Sequence, residues 1–264
     1  MASLMDAPDV LKKIAAYKVD EVADLKARTT IETLREQAAA LPRQRGFEAA
    51  IKAASGPALI CEVKKASPSK GVIREDFDPV AITKAYKAGG ATCMSVLTDG
   101  PGFQGSKEIF AAVRATTTLP LLRKDFMLDP IQIAESAAMG ADCVLIIMGM
   151  IDDKAAKALF DEAAALGLDA LIETHDETEL ARAIKLGGSM IGINNRDLRT
   201  FDTTLDTFAR LAPKTPNTCT LIAESGVFTQ EDIIRLAENG AQGYLIGESL
   251  MRQDDVEAAV RRLS

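Results

Sequence analysis

The sequence predicts a (β/α)8 barrel preceded by an N-terminal helical extension, and two observations carry this prediction. Eight short apolar runs end at residues 64, 97, 124, 148, 173, 194, 224 and 246 of the 264-residue chain, at separations of 21 to 33 residues. Each interval accommodates a strand, one helix and two loops. Five times a helical stretch ends at a glycine and an apolar run follows directly, which is typical of a helix end followed by a strand buried on both faces. Eight such units predict a barrel, although spacing alone leaves a doubly wound sheet as the alternative.

The helix starts are equally clear. Asp78-Pro79 and Asp129-Pro130 each place a capping carboxylate before a proline at the first helical position. Thr229 with Asp232, and Asp176 with Glu179, resemble capping boxes. We therefore expect helices over 79–88, 130–139, 177–186 and 230–238. The predicted strands are Ala58–Lys64, Cys93–Leu97, Leu121–Lys124, Cys143–Met148, Ala170–Glu173, Met190–Asn194, Thr220–Glu224 and Gly243–Ile246.

Residues 1–57 precede the first predicted strand. Their apolar residues recur at helical spacing, from Val10 and Leu11 to Ile31 and Leu34. We interpret this segment as a helical extension packed on the barrel, across either its bottom or the rim of its mouth. Residues 58–264 form the barrel, so we expect one domain in total.

Composition excludes several classes of function. The 31 Lys and Arg against 38 Asp and Glu give a net charge of −7, which disfavours nucleic-acid binding because that needs a basic surface. Apolar runs such as Cys143–Ile151 are far shorter than the ~20 residues that span a bilayer, and the N-terminus has no signal-peptide pattern. Four cysteines form no CxxC pair, and His175 is the only histidine. The usual zinc ligand sets are therefore missing, and we expect a cytoplasmic protein without a metal.

Ionisable and polar residues occur where the predicted strands end. They are Glu62, Lys64, Lys124, Glu173, Asn194 and Glu224. Active sites of such barrels lie at the C-terminal ends of the strands, and alternation places Glu62 and Lys64 on the same side as Ile60. We therefore expect these side chains to converge on one polar pocket in the mouth. An interior ion-pair cluster without chemistry is the alternative, but the number of ionisable groups favours a catalytic site.

Two glycine-containing segments predict a phosphate site. Ser225-Gly226 follows the seventh strand and Gly247-Glu248 follows the eighth. Loops at these two positions commonly bind phosphate through backbone N–H groups and a helix N-terminus. The segment 66–71 follows the first strand and contains Ser67. It is consistent either with a mobile loop over the mouth or with a plain connection.

Seven segments resemble the indole-3-glycerol-phosphate synthase family. They are CEVKKASPSKG (61–71), SVLTDGPGFQGS (95–106), LLRKDF (121–126), IETH (172–175), GINNRDL (192–198), AESG (223–226) and LIGESLM (245–251). The resemblance runs in order from about Val10 to about Arg252 and includes the helical extension. CEVKKASPSKG and GINNRDL are specific, whereas AESG and LIGES alone are shared with other phosphate-binding barrels. The resemblance implies a lyase of tryptophan biosynthesis that needs no metal or organic cofactor.

That enzyme would close the pyrrole ring of 1-(2-carboxyphenylamino)-1-deoxyribulose 5-phosphate with loss of carbon dioxide and water. We expect Lys124 to protonate the ketone, with its pKa lowered toward working pH by burial and neighbouring positive charge. Lys64 would bind the substrate carboxylate and supply that neighbouring charge. Glu173 would act in the dehydration with Glu62 as the second carboxylate, and Asn194 would hold a substrate hydroxyl. The division of proton transfers among Glu62, Lys64 and Glu173 stays open.

Binding roles follow from the same resemblance. Glu224 would accept hydrogen bonds and hold the lysines. Phosphate binding falls to Ser225, Gly226, Gly247 and Glu248, mainly through backbone N–H groups, with assistance from Arg196 and Ser67. We expect the Glu248 side chain to point away from the phosphate. The candidates for the apolar slot around the anthranilate ring are Leu97, Phe103, Phe126 and Pro68.

Two alternatives remain open from the residues. A sugar-phosphate barrel similar to phosphoribosylanthranilate isomerase usually has Asp or Cys at its strand ends, and the lysine–glutamate set argues against it. A non-catalytic barrel would be expected to lose at least one strand-end charge, and none is missing. The expected partner is a small phosphorylated substrate, with no nucleic acid and no membrane. The sequence leaves open a monomer or a weak oligomer, and an association with neighbouring enzymes of the pathway.

Overall fold

The barrel is built from eight parallel strands within residues 8–42 and 45–264, the part of the chain that the computed structural model describes. The strands are β1 (Ala58–Val63), β4 (Cys93–Leu97), β5 (Leu121–Lys124), β6 (Cys143–Ile147), β7 (Asp169–Thr174), β8 (Met190–Asn194), β9 (Thr220–Glu224) and β10 (Gly243–Ile246). They pair in chain order, and β10 pairs with β1 to close the barrel. A hairpin of β2 (Ala66–Ser67) and β3 (Gly71–Val72) follows β1. The predicted barrel is confirmed.

Three predicted strands are off by one residue at their ends. β6 ends at Ile147, and β7 extends from Asp169 to Thr174. β1 ends at Val63 because its register with β4 ends at the Val63–Val96 pair. Lys64 therefore lies just beyond the hydrogen-bonded ladder, at the start of the loop over the mouth.

The helices occupy the intervals between the strands. Within the described residues they are α1 (Asp9–Arg28), α2 (Ile31–Ala39), α3 (Phe47–Ala53), α4 (Pro79–Gly89), α5 (Lys107–Thr116), α6 (Pro130–Ala138), α7 (Asp153–Ala165), α8 (Glu177–Leu186), α9 (Asp206–Leu211), α10 (Gln230–Glu238), α11 (Glu248–Met251) and α12 (Val256–Arg261). The four helices predicted from caps are present, with ends within one residue of the prediction. Asp78, Asp129, Asp176 and Thr229 all cap their helices. The five helix-ending glycines, at 90, 140, 167, 187 and 240, all have positive φ, as a left-handed terminal residue requires.

The N-terminal extension contributes to both ends of the barrel. At the bottom, α3 buries Phe47 and Ile51, and Glu48 accepts a hydrogen bond from Thr220 Oγ1 at 2.7 Å. α2 packs on α6, where Leu34 and Ile131 share an apolar cluster. α1 lies at the mouth, where its Lys18 is buried. Residues 1–7 and 43–44 of the predicted extension lie outside the described residues.

A buried ion cluster attaches α1 to the mouth. Lys18 Nζ lies 2.7 Å from Asp125 Oδ1 and 3.0 Å from Asp99 Oδ1. These two aspartates follow the ends of β5 and β4. Tyr17 adds a hydrogen bond from its hydroxyl to Asp99 Oδ1 at 2.8 Å. The helix is therefore held against the C-terminal ends of two strands.

None of the described helices is both long enough and apolar enough to span a membrane.

Candidate active site

The C-terminal ends of the strands surround one open pocket. All six predicted strand-end residues line it, namely Glu62, Lys64, Lys124, Glu173, Asn194 and Glu224. Five of them belong to five different strands, namely β1, β5, β7, β8 and β9, and Lys64 is the residue that follows β1. The barrel thus brings together side chains that are as many as 162 residues apart in the chain, because every parallel strand ends at the same rim.

Lys124 is at the centre of this group. Its Nζ donates to Glu173 Oε2 at 2.8 Å and to Glu224 Oε2 at 2.9 Å. Asn194 Nδ2 donates to the other oxygen of Glu173, Oε1, at 3.1 Å. A second lysine–carboxylate pair, Lys64 with Glu62, lies on β1 and just after it. The site therefore contains two lysines, each paired with at least one carboxylate.

Two glycines make room for the carboxylates. A Cβ on Gly192, in the middle of β8, would lie 2.2 Å from Glu224 Oε1. A Cβ on Gly247 would lie 2.1 Å from Glu62 Oε2 and 3.0 Å from Lys64 Nζ. Because such separations are far below van der Waals contact, neither position can carry a side chain while the carboxylates stay in place. The sequence analysis assigned Gly247 to the phosphate and did not identify Gly192.

The expected downward shift of the Lys124 pKa is wrong in direction. Burial by itself lowers the pKa of Lys124, but the carboxylates of Glu173, Glu224 and Glu62 outweigh burial and raise it. The error came from treating Lys64 as the decisive neighbour. In the folded barrel the groups that contact the Lys124 ammonium are anions, so Lys124 is firmly protonated.

The pKa values of the two carboxylates that contact Lys124, Glu173 and Glu224, are shifted in opposite directions. Burial alone would raise the pKa of Glu173, but Lys124 and His175 hold it well below its usual range. Burial and the neighbouring Glu173 raise the pKa of Glu224 to about 7, against the opposing effect of Lys124. One carboxylate of the pair is therefore firmly ionised, and the other takes up a proton near neutral pH.

His175 is a member of this cluster that sequence reasoning missed. Its Nε2 lies 3.2 Å from Glu173 Oε1, and its Nδ1 lies 2.9 Å from Glu179 Oε2. The sequence analysis used this residue only to exclude zinc. The available signal was its spacing, because His175 stands two residues after Glu173, beyond the end of the same strand.

The predicted phosphate residues line the same pocket. Ser225 and Gly226 both have positive φ, 64° and 81°, an uncommon conformation for serine that is found at ligand sites. Gly247 precedes α11, whose N-terminus has no side-chain cap. Its first residue, Glu248, directs its carboxylate to Arg196 (3.4 Å) and Arg252 (3.1 Å).

The loop after β1 also lines this pocket. Arg196 donates to Ser69 Oγ at 2.9 Å and so joins the loop after β8 to the loop after β1. Ser67 is buried in the pocket wall, and its hydroxyl has no hydrogen-bond partner among the described residues. An unpartnered buried hydroxyl facing a pocket is suited to a polar ligand.

The apolar wall of the pocket contains the predicted ring contacts. Leu97, Pro68, Phe103 and Phe126 all line the cavity, and the two phenylalanine rings lie 5.9 Å apart. A Cβ on Gly102 would approach Pro68 Cγ to 3.2 Å, so a small residue there lets the two loops meet. Sequence reasoning did not identify several further apolar residues of the wall. They are Val10, Leu11, Ile14, Leu145, Ile147, Leu198, Phe201, Val227, Phe228, Leu245 and Ile246.

Comparison with known proteins identifies the family. A family model described as indole-3-glycerol phosphate synthase matches residues 11–263. The chain belongs to this family. Relatives named indole-3-glycerol phosphate synthase include that of Hyphomonas neptunium, 51% identical over 92% of this chain and 93% of the relative. Those of Rhizorhabdus wittichii and Azospirillum brasilense are 49% and 46% identical, over 96% and 97% of this chain and 97% and 98% of the relatives.

Solved structures of lower identity share the fold. A thiamine phosphate pyrophosphorylase from Pyrococcus furiosus has a TM-score of 0.56 and 16% identity, over 78% of this chain and 92% of that chain. A mandelate oxidase mutant has a TM-score of 0.59 and 14% identity, over 78% and 71% of the two chains. Such likeness shows the barrel alone, because one barrel supports many chemistries. The family predicted from the sequence is confirmed by the relatives, and its members are carboxy-lyases of tryptophan biosynthesis.

Proposed function

We propose that this chain converts 1-(2-carboxyphenylamino)-1-deoxyribulose 5-phosphate into indole-3-glycerol phosphate, carbon dioxide and water. Family membership over residues 11–263 supports the reaction. The observation that carries the assignment of roles is the position of Lys124, whose ammonium contacts Glu173 and Glu224 at the centre of the mouth. Ring closure at a ketone needs a proton donor at this point, and a protonated lysine supplies one.

The substrate is anionic at both ends, and the pocket offers a different environment for each. The backbone N–H groups around Ser225, Gly226 and Gly247 bind the phosphate, with Arg196 beside them. The anthranilate ring lies against the apolar wall that contains Phe103. Because the chain carries a net charge of −7, these local cationic and N–H groups overcome an overall field that repels the substrate.

The carbon–carbon bond forms first. The aromatic carbon that bears the carboxylate attacks the ketone carbon, and the ketone oxygen takes its proton from the Lys124 ammonium. Lys64 binds the substrate carboxylate before this step and releases it as carbon dioxide is lost. The carboxylates of Glu173 and Glu62 stabilise the cationic intermediate electrostatically. Departure of carbon dioxide returns its bonding electrons to the ring.

Dehydration completes the pyrrole. The carboxylate of Glu173, which is ionised at rest, takes a proton from the ring methylene beside the nitrogen and passes it to the hydroxyl formed from the ketone. The C–O bond breaks, water leaves, and a carbon–carbon double bond forms in the ring, which keeps its N–H. Glu173 is the acid–base group of this step, while Asn194 holds a substrate hydroxyl. Glu224 accepts a hydrogen bond from the Lys124 ammonium at 2.9 Å and so fixes its position.

We further propose that the enzyme acts in the cytoplasm on its small phosphorylated substrate as a monomer or weak oligomer. Association with neighbouring enzymes of the pathway is compatible with this assignment. Size-exclusion chromatography with light scattering tests the oligomeric state on the protein alone and the association on mixtures with those enzymes. A stable, concentration-independent oligomer would contradict the first.

The function is tested by incubating the purified protein with the carboxyphenylamino substrate and following indole formation by fluorescence. We expect indole-3-glycerol phosphate and carbon dioxide in equal amounts. Lys124→Ala is expected to lower kcat by about 10²- to 10⁴-fold, as for loss of a general acid, with an unchanged circular dichroism spectrum. The matched control is Lys157→Ala, since Lys157 pairs with Asp161 on the exposed face of α7. Wild-type protein that forms no indole would overturn the function, and normal turnover in Lys124→Ala would overturn the role of that lysine.

A further inference from the structure

His175 lies behind the catalytic carboxylates. It follows β7 directly, and its Nε2 lies 3.2 Å from Glu173 Oε1. The imidazole is mostly buried, with 12% of the side chain exposed. It does not itself line the pocket, whereas Glu173 does. The ring therefore contacts Glu173 from the side away from the substrate.

Glu179 holds the other side of the ring. Its Oε2 lies 2.9 Å from His175 Nδ1 and also accepts the His175 backbone N–H at 2.9 Å. The Asp176 cap starts α8 so that Glu179 stands on its first turn and faces back toward His175. A Cβ on Gly149 would lie 2.6 Å from Glu179 Oε1. Only a glycine at position 149 leaves room for this carboxylate, so the geometry is built from three separate segments.

From this arrangement we infer that His175 is a positioning residue that, as an imidazolium held by Glu179, fixes the orientation and the ionised state of Glu173. The inference rests on the proposed role of Glu173 in the dehydration. Glu173 Oε1 faces His175 and Asn194, whereas Oε2 faces Lys124. Asn194 and Lys124 hold the two oxygens by hydrogen bonds, and His175 Nε2 adds an ion-pair contact to Oε1 without a hydrogen bond of its own. The carboxylate therefore has little freedom to turn away from the pocket.

The charges around the ring support this assignment. Within the described chain, the charged groups that contact the imidazole are Glu173, at the end of β7, and Glu179, on α8. Burial lowers the pKa of His175, but these two carboxylates outweigh it and raise the pKa to about 10. Lys124 contacts the other oxygen of Glu173. The ring thus carries a positive charge at neutral pH, and it makes the protonated form of Glu173 a stronger acid toward the leaving hydroxyl.

A direct test uses the fact that the sequence contains a single histidine. Long-range ¹H–¹⁵N NMR of untagged, ¹⁵N-labelled protein reports the charge of that ring without any assignment step. In the wild type we expect an imidazolium signal through pH 8.5. In Glu179→Gln, which leaves the pocket lining untouched, the midpoint should fall by at least about one pH unit, since one of two partner charges is gone. A wild-type midpoint near 6.5 would overturn the inference.

Kinetics supply the second readout. With Glu179→Gln the basic limb of the kcat profile should move to lower pH by the same amount as the NMR midpoint, while KM stays within about twofold. His175→Gln, which keeps an N–H donor but no charge, should lower kcat on the order of 10- to 100-fold. Glu177→Gln is the matched control, because Glu177 lies on α8 but pairs with Lys214 at the surface. Superimposable pH profiles for Glu179→Gln and wild type would overturn the inference.

The two proposals fail in different ways. If Glu173→Gln retains normal kcat, the proposed role of Glu173 is wrong, whatever the charge of His175. If Glu173→Gln is inactive but the ring is neutral at pH 7, Glu173 keeps its role in the dehydration and the positioning role of the His175 imidazolium is wrong. Each result therefore decides one proposal independently of the other.

Discussion

Replacing Lys18 by methionine tests how α1 is held at the mouth. The Lys18 side chain is 1% exposed and lies between Asp125 and Asp99, which are 3% and 0% exposed. Methionine has a similar length and no charge, so the substitution removes the ammonium with little change in volume. Two buried carboxylates then lose a cation that lies within 3.0 Å of each.

The size of the expected loss of stability depends on which partners the two aspartates retain. Breaking a buried ion pair by removing one partner typically costs about 3–5 kcal/mol. Asp125 retains Arg123 at 3.2 Å and the Thr98 hydroxyl at 2.5 Å, and Asp99 retains the Tyr17 hydroxyl. We therefore expect the low end, about 3 kcal/mol, which corresponds to a loss of roughly 6–12 °C in Tm for a chain of this size. KM should also rise, since Val10 and Ile14 on the same helix line the pocket.

Differential scanning calorimetry and hydrogen exchange across residues 9–28 measure these effects. Lys26→Met is the matched control, because Lys26 lies on the same helix and pairs with Asp129 at 2.5 Å, but is 51% exposed. An exposed pair contributes at most about 1 kcal/mol, so this control should shift Tm by no more than about 4 °C. Equal losses of Tm in the two variants, or a more stable Lys18→Met protein, would refute the reasoning.

Three other predictions concern the pocket. Ser225→Asp should raise KM much more than it lowers kcat, because a carboxylate would lie beside the substrate phosphate; unchanged KM in steady-state assays would place the phosphate elsewhere. Gly192→Ala should lower kcat, since its Cβ would lie 2.2 Å from Glu224 Oε1 and displace that carboxylate; a crystal structure with Glu224 unmoved would contradict this. Glu224→Gln should change the pH dependence of stability measured by urea denaturation. The folded pKa of about 7 exceeds the unfolded value of about 4.3, so the contribution of Glu224 is complete below pH 4.3 and is lost as pH rises through 7. The variant should gain stability relative to wild type between pH 5 and 8, and a constant difference would count against it.

Much of the fold could be predicted because its signals are local. Asp78 before Pro79 and Gly90 after the last helical residue mark helix ends wherever the helix lies in the barrel. Runs of buried residues mark strands, and their spacing marks the repeat. The grouping of the strand-end residues was equally predictable, since parallel strands of a barrel present their final residues at one rim. Strand ends were missed by a residue where pairing with the neighbouring strand, as at Val63, decides the last hydrogen bond.

The sequence predicted residues that line one pocket in the folded barrel, but it did not predict the contacts between them. Lys124 meets Glu224 although they are 100 residues apart, and the sequence carries no signal for which carboxylate faces which lysine. The expected pKa shift of Lys124 was wrong for that reason, since the sign depends on distances of a few ångströms. His175 was missed because its neighbour Glu179 becomes relevant only when α8 turns back toward the strand end. Gly192 was missed because the atom it accommodates belongs to another strand.

The sequence by itself determined the barrel, the family and the set of strand-end residues, because periodicity, capping and residue identity are properties of short segments. Only the tertiary structure decided that α1 reaches the mouth while α3 covers the bottom. It also decided that the Lys124 ammonium contacts two carboxylates, which raise its pKa, and that Glu173 contacts both Lys124 and His175. Charge–charge interactions fall off with distance between atoms rather than along the chain, and that distance exists only once the strands have closed into a barrel.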